Sequence, residues 1–200
     1  MPLEDTGLAG VDSCLRFTPG RRQSSHERAP TRTCRIIPYI CASLRYRGAG
    51  VAYHFEDLSA GTKLRSARRV TVTRERLVAF AEEFDPQPAH LSEEQAAASH
   101  FGVLCASGWH TAAISMRLMV ETMPVPGGGI GAGIEAMNWV RPVLPGDSLG
   151  IEVEVLDSRA SRSRPDKGIV RFRMTTFNQD EQPVQVLTAH VLVPRRNGDA

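Results

Sequence analysis

Residues 108–122 read GWHTAAISMRLMVET and carry the longest helical pattern in the chain. Their apolar side chains recur at the spacing of one face of an α-helix. The stripe consists of Trp109, Ala112, Ala113, Met116, Met119, Val120 and Met123, with Ile114 and Leu118 between polar positions. A helix this apolar is mostly buried, and Pro124 and Pro126 end it. The rest of the fold must therefore cover this helix.

The segments around this helix predict an antiparallel sheet and two shorter helices. After the helix, alternating apolar and polar residues separated by polar turns indicate an antiparallel meander over 133–140, 149–155, 170–174 and 184–193. Before it, we expect a lead-in strand, a turn at 59–61 and a strand over 63–73. A helix of about three turns follows, capped by Thr73 and with apolar residues at Leu77, Phe80, Ala81 and Phe84, and then a short helix over 93–99. Because the helices and strands do not alternate, the class is α+β, with one sheet curled around the long central helix.

Composition limits the partners of the chain. Its 200 residues are 42% hydrophobic, and 24 Lys and Arg against 22 Asp and Glu leave a net charge of +2. This charge is too small to indicate nucleic acid, and no run of 18 apolar residues predicts a membrane span. We expect no metal, because no metal-ligand spacing occurs, and no cofactor, because the loose dinucleotide pattern at 131–136 follows a helix and precedes a strand.

The first fifty residues differ from the remainder. They contain eight Arg, no Lys and four acidic residues, lack sustained periodicity, and hold three of the four Cys. We expect residues 1–50 to be a disordered extension and residues 51–196 to be the folded domain. With a single Cys in the folded part, a disulfide framework is not expected, and the composition predicts a cytoplasmic protein.

Two stretches carry candidate chemistry. In Asp85-Pro86-Gln87-Pro88-Ala89-His90, two prolines stiffen a segment that holds a carboxylate and an imidazole, as acid–base catalysis requires. The alternative is that Asp85 belongs to an ordinary turn and His90 is a surface group. In Ala106-Ser107-Gly108, the start of the long helix offers free N–H groups and a positive dipole end for an oxyanion. The alternative is that Ser107 caps the helix and Gly108 packs tightly.

These stretches resemble the MaoC-like dehydratases, the (R)-specific enoyl-CoA hydratase branch of the hotdog fold. Asp85–His90 match the family motif Asp-x-Asn-Pro-x-His except for Gln87 in the place of Asn. The Ala-His-Gly segment with which the family's hotdog helix begins corresponds to Ala106-Ser107-Gly108, with Ser107 in the place of His. The family loop Arg/Lys-Pro-Val-x-x-Gly-Asp corresponds to Arg141-Pro142-Val143-Leu144-Pro145-Gly146-Asp147. The resemblance covers residues 52–194.

The resemblance implies a hotdog homodimer that adds water reversibly to a trans-2-enoyl-CoA, giving a (R)-3-hydroxyacyl-CoA. In that case Asp85 and His90 are the acid–base pair, and the Gly108 N–H binds the thioester oxygen. Gln87 and Ser107 lie beside the substrate, an acyl-CoA thioester. Two alternatives remain, an acyl-CoA thioesterase of the hotdog fold and a non-catalytic acyl-CoA binding module. Against the thioesterase, the only acid between Gly108 and Thr122 is Glu121, at the far end of the helix.

Overall fold

A computed structural model describes residues 52–196, and the predicted extension 1–50 lies outside the described residues. Four α-helices and six strands follow a 3₁₀ turn at Phe55–Asp57. The helices are α1 (Arg74–Phe84), α2 (Pro88–Leu91), α3 (Glu93–Ala97) and α4 (Gly108–Thr122). The strands are β1 (Lys63–Arg65), β2 (Val70–Thr71), β3 (Ile130–Trp139), β4 (Ser148–Ala160), β5 (Lys167–Phe177) and β6 (Pro183–Pro194).

The sheet is antiparallel throughout, with the order β1-β4-β5-β6-β3, and β2 also pairs with β4. The alternation predicted for β4, β5 and β6 is confirmed, since their buried residues follow a period of two. The inner face of these strands and α4 share one hydrophobic core, which includes Ile151, Val153, Met174 and Leu187. The α+β class and the sheet packed around a central helix are therefore confirmed.

The buried face of α4 differs from the predicted stripe. Trp109, Met116 and Val120 are 60%, 49% and 47% exposed. The helix instead buries His110, Thr111, Ile114, Ser115, Leu118 and Met119. Polar residues can face the core here because their hydroxyl groups are paired: Thr111 Oγ1 donates to the Ser107 carbonyl, and Ser115 Oγ is 2.7 Å from Thr176 Oγ1 on β5. The apolar stripe therefore predicted the buried face of α4 incorrectly, and much of the stripe lies on the surface of the single chain.

The elements before α1 also differ from the prediction. The lead-in segment forms the 3₁₀ turn at Phe55–Asp57 rather than a strand. The strand expected over 63–73 is divided into β1 and β2, which both pair with β4. Between them the ladder is replaced by Ser66, whose backbone N–H donates to the Ile151 carbonyl and whose side chain accepts from Ile151 N. The predicted helix α1 and its Thr73 cap are confirmed, because the Thr73 hydroxyl accepts from Arg76 N.

The loop between β3 and β4 is held from within. The Asp147 carboxylate is buried, accepting hydrogen bonds from Leu144 N at 2.8 Å and from the Gln179 side chain at 2.9 Å. The loop in turn accepts a hydrogen bond from Ala106 N at the Val143 carbonyl. It therefore fixes the chain just before α4 begins. Among residues 52–196, no helix is long and apolar enough to cross a membrane.

Candidate active site

Asp85 ends helix α1 and is mostly buried. Both oxygens of its carboxylate are hydrogen-bonded: Oδ2 accepts from Ser107 Oγ at 2.6 Å, and Oδ1 accepts from Gln87 Nε2 at 2.7 Å. The Ser107 hydrogen bond lowers the pKa of Asp85 below its ordinary value, and Gln87 and the nearby His90 lower it further, against the opposing effect of burial. Asp85 is therefore an oriented, ionised carboxylate at neutral pH.

His90 lies on the short helix α2 and is buried. Its Nδ1 is 2.8 Å from the carbonyl oxygen of Cys105. Because a carbonyl oxygen can only accept, Nδ1 carries a proton, and Nε2 of the neutral ring presents a lone pair. That Nε2 is 3.7 Å from Asp85 Oδ2, which is too long for a direct hydrogen bond. With the ring in this neutral form, two acceptor atoms face each other across a short gap.

The backbone around Cys105 holds α2 against the start of α4. Cys105 N donates to the Ala89 carbonyl at 3.0 Å, and the Cys105 carbonyl accepts from His90 in return. The Cys105 side chain is buried, and burial raises the pKa of its thiol. It is therefore a poor nucleophile, and its backbone is the part that shapes the site.

Helix α4 begins at Gly108, next to Asp85. Ser107 is fully buried, and its hydroxyl accepts from Trp109 N at 3.2 Å while donating to Asp85. Among the described residues, the Gly108 N–H has no hydrogen-bond partner, as expected at the first turn of a helix. Ser107 therefore caps the helix, as the alternative interpretation expected, and it also donates to the Asp85 carboxylate, which the sequence did not predict.

Trp139 explains why residue 108 is a glycine. A Cβ at position 108 would come within 2.7 Å of Trp139 Cε2, so the indole ring occupies the place of a side chain. The alternative interpretation of the sequence, that Gly108 packs tightly, agrees with this contact. In the structure, the approaching group is Trp139, which sequence reasoning missed because its partner is 31 residues away.

All five residues predicted for the site, Asp85, Gln87, His90, Ser107 and Gly108, come together at the junction of α1, α2 and α4. Exposed aromatic rings border the junction: Phe84 precedes Asp85, and the Phe101 ring is 6.4 Å from the His90 ring. Within residues 52–196, no cluster of three or more His, Cys, Asp or Glu side chains could hold a metal ion. The groups that can act here are a carboxylate, an imidazole lone pair and a free N–H.

Comparison of the sequence with known proteins identifies its family. The model of the MaoC-like domain family matches residues 56–177. The uncharacterised protein YdeM of Bacillus subtilis is 38% identical over 130 residues, which are 64% of this chain and 90% of that protein. A 3-hydroxybutyryl-CoA dehydratase of Methylorubrum extorquens is 33% identical over 112 residues, 56% of this chain and 69% of the enzyme.

Solved structures give the same result. A MaoC-like dehydratase from Rhodospirillum rubrum is 50% identical, with a TM-score of 0.69 over 72% of this chain and 99% of that one. An (R)-hydratase from Pseudomonas aeruginosa is 27% identical, with a TM-score of 0.58 over 72% of this chain and 86% of that one. Independent comparisons of sequence and of structure therefore support both the family resemblance and the hotdog fold.

Proposed function

The chain belongs to the MaoC-like domain family, and from this premise we propose that it is an enoyl-CoA hydratase. The reaction is the reversible addition of water to a trans-2-enoyl-CoA, with a (R)-3-hydroxyacyl-CoA as product. The hydratases and dehydratases among its relatives support a hydro-lyase. The CoA thioester comes from the relative named as a 3-hydroxybutyryl-CoA dehydratase, and the (R) configuration from the relative named as an (R)-hydratase.

One observation carries the proposal: Asp85 Oδ2 and His90 Nε2 are two acceptors 3.7 Å apart. A water molecule has two hydrogens to donate, one to each of these atoms, and its oxygen lone pair is then directed away from both. The Cys105 carbonyl keeps His90 in the tautomer that accepts, and Ser107 keeps Asp85 ionised. The pair is thereby suited to orient a water and remove its proton.

The oriented water then adds to the double bond of the enoyl-CoA. As a C3–O bond forms, the Asp85/His90 pair takes a proton from the water, and the electrons of the C2–C3 double bond move to the thioester oxygen. The Gly108 N–H, at the positive end of the α4 dipole, stabilises that negative charge. The pair returns a proton to C2, and the enzyme ends the cycle unchanged. The acid and base roles are assigned to the Asp85/His90 pair and are not divided between its members.

Gln87 and Ser107 act on Asp85 in this proposal. Gln87, in the place of the family's Asn, donates to Oδ1, and Ser107 donates to Oδ2. The carboxylate is held from both sides and has one remaining face for the water. Gln87 is exposed and Ser107 is buried, so only Ser107 is part of the protein interior.

An assay with crotonyl-CoA tests the function. Loss of the conjugated-enoyl absorbance near neutral pH, without release of free thiol, is the expected result, and chiral chromatography of the product should give the (R) isomer. Release of free thiol indicates the thioesterase, although Glu121 pairs with Arg68 and Arg117 at the far end of α4. Turnover of neither kind with short, medium and branched enoyl-CoAs contradicts the enzyme and leaves the acyl-CoA binding module.

The proposal includes a homodimer. Strand β3 ends the sheet with one edge unpaired among the described strands, and edges of this kind are normally covered. Apolar side chains are exposed on α4 at Met116 and Val120 and on β3 at Ile134. A second copy related by a two-fold axis would extend the sheet and cover these side chains. From the sequence alone, we also propose that the folded domain spans residues 51–196 and that the protein is cytoplasmic.

A further inference from the structure

Trp139 connects the edge strand β3 to the first turn of α4. Its indole Nε1–H donates to the Gly108 carbonyl at 2.9 Å and to Gln185 Oε1 at 3.1 Å. The indole ring also fills the space beside Gly108 where a side chain would lie. Glycine has the greatest backbone freedom of all residues, so a helix that begins with glycine needs an external constraint. Trp139 provides one through both a hydrogen bond and a packed ring.

Gln185 holds the indole in place from the neighbouring strand. It is paired with Trp139 in the β3–β6 register and with Thr176 in the β5–β6 register, so the three side chains share one face of the sheet, at whose edge Trp139 is 44% exposed. Gln185 is fully buried, and its Nε2 has no hydrogen-bond partner among the described residues. Leaving a buried amide unpaired costs stability. The residue is therefore unfavourable for packing alone, and its visible contribution is the acceptor for Trp139.

We propose that Trp139 and Gln185 are positioning residues that hold the Gly108 peptide at the active site. The inference rests on the proposed function, in which the Gly108 N–H binds the thioester oxygen. Ser107 belongs to the same turn and orients Asp85, so a shift of that turn displaces the oxyanion donor and the carboxylate together. Neither Trp139 nor Gln185 needs to touch the reacting atoms for this effect.

Trp139→Phe keeps a flat ring but removes the indole donor. With crotonyl-CoA as substrate, kcat should fall about 10- to 100-fold, the scale of small misplacements in active sites, while KM changes less than about twofold. Trp109→Phe is the matched control. Trp109 stands edge-to-face with Trp139, at 5.5 Å between ring centroids, and its indole N–H has no hydrogen bond among the described residues. This control should keep its kcat within about twofold of the wild-type value.

Gln185→Leu separates positioning from packing. It removes the acceptor and also the unpaired amide, so kcat should fall while Tm stays the same or rises. A purely structural role predicts instead that activity and Tm fall together. If Trp139→Phe fails to fold, the kcat and Tm of Gln185→Leu alone test the positioning role. Unchanged kcat in Gln185→Leu and Trp139→Phe overturns the inference.

The wild-type protein separates failure of the proposed function from failure of the positioning role. If the wild type hydrates no enoyl-CoA, the proposed function is wrong. The positioning role is then tested by the chemical shift of the Gly108 amide in ¹⁵N-labelled protein. Gln185→Leu, which changes no aromatic ring and no sequence neighbour of Gly108, should move this signal, and Ser92→Ala, at the cap of α3, should not. An equal or absent displacement in the two variants overturns the role of Trp139 and Gln185 in holding the Gly108 peptide.

Discussion

The Ser107 hydroxyl donates a hydrogen bond of 2.6 Å to Asp85 Oδ2, joining the start of α4 to the end of α1. Ser107 Oγ also accepts a hydrogen bond from Trp109 N, so the Ser107 side chain both caps the helix and orients the carboxylate. Helix capping and acid–base chemistry are therefore coupled at Ser107. A substitution there changes both, and a suitable control can separate the two effects.

Ser107→Ala should lower kcat about tenfold and destabilise the fold by roughly 1 kcal/mol, the usual cost of a lost cap. Because the Ser107 hydrogen bond is the largest cause of the lowered pKa of Asp85, that pKa should rise in the variant. If ionised Asp85 is required, the acid limb of the kcat/KM profile moves to higher pH. Activity between pH 4 and 8 and urea unfolding measure these effects.

Ser92→Ala is the matched control for this substitution. Ser92 caps α3 and accepts from Gln95 N at 3.2 Å, the same length as the cap at Ser107, but it makes no hydrogen bond to Asp85. It should lose a similar amount of stability and keep its kcat. Equal kcat values in the two variants would show that Ser107 acts only as a cap.

Asp85→Asn and His90→Gln should each lower kcat by roughly 10²–10⁴-fold, the usual range for a lost general acid or base. Both replacements keep the approximate size of the side chain, so the fold should persist. His100→Gln is the control, because His100 is exposed and lies outside the site. Full hydration activity in either site variant removes that residue from the acid–base pair and leaves the fold unaffected.

Helices α1, α3 and α4 and strands β3 to β6 were predictable because they depend on local patterns, whereas the short helix α2 was not predicted. The spacing of Leu77, Ala81 and Phe84 and the cap at Thr73 were sufficient to predict α1. The buried face of α4 was not predictable in the same way. Thr111 and Ser115 count as polar in any pattern, but their hydroxyl groups are satisfied by helix carbonyls and, at Ser115, by Thr176 on β5. Hydropathy does not contain this information, which depends on tertiary contacts.

The candidate site shows the same division. Asp85, His90 and Gly108 lie in short motifs with fixed spacing, and they could be found from the sequence. The Cys105 carbonyl, which fixes the tautomer of His90, is a backbone atom and has no sequence signature. Trp139 reaches Gly108 from a distant strand, and only the β3–β6 register places it beside Gln185. Such partners become visible when the strands are assembled.

Met116→Glu tests the dimer. If a second copy covers the exposed face of α4, an unpaired carboxylate buried there should raise the dimer dissociation constant by about 100-fold or more. Ala79→Glu is the control, because Ala79 is exposed on α1 and lies outside that face. Light scattering coupled to size-exclusion chromatography measures the mass of each variant. A monomeric wild type at micromolar concentration contradicts the homodimer.

His110 should make the fold sensitive to mild acid. It is buried on α4 and stacked on Phe80, with 4.8 Å between ring centroids, and its Nδ1 has no partner among the described residues. Burial, aided by the charge of Arg76, lowers the pKa of His110 from 6.5 to about 4. The unfolded chain therefore binds a proton at a higher pH than the folded chain, and stability is lost as pH falls from about 6.5 towards 4.

Urea unfolding at pH 7 and pH 5 isolates this effect. Paired carboxylates such as Glu135, with its pKa lowered from 4.5 to about 2, lose most of their contribution only below pH 4.5. Between pH 7 and 5, the wild type should lose up to about 2 kcal/mol more than His110→Leu, which has no proton to bind. His100→Gln, at an exposed position, should keep the wild-type pH dependence. An equal loss in wild type and His110→Leu would mean that His110 is protonated in the folded protein as readily as in the unfolded chain.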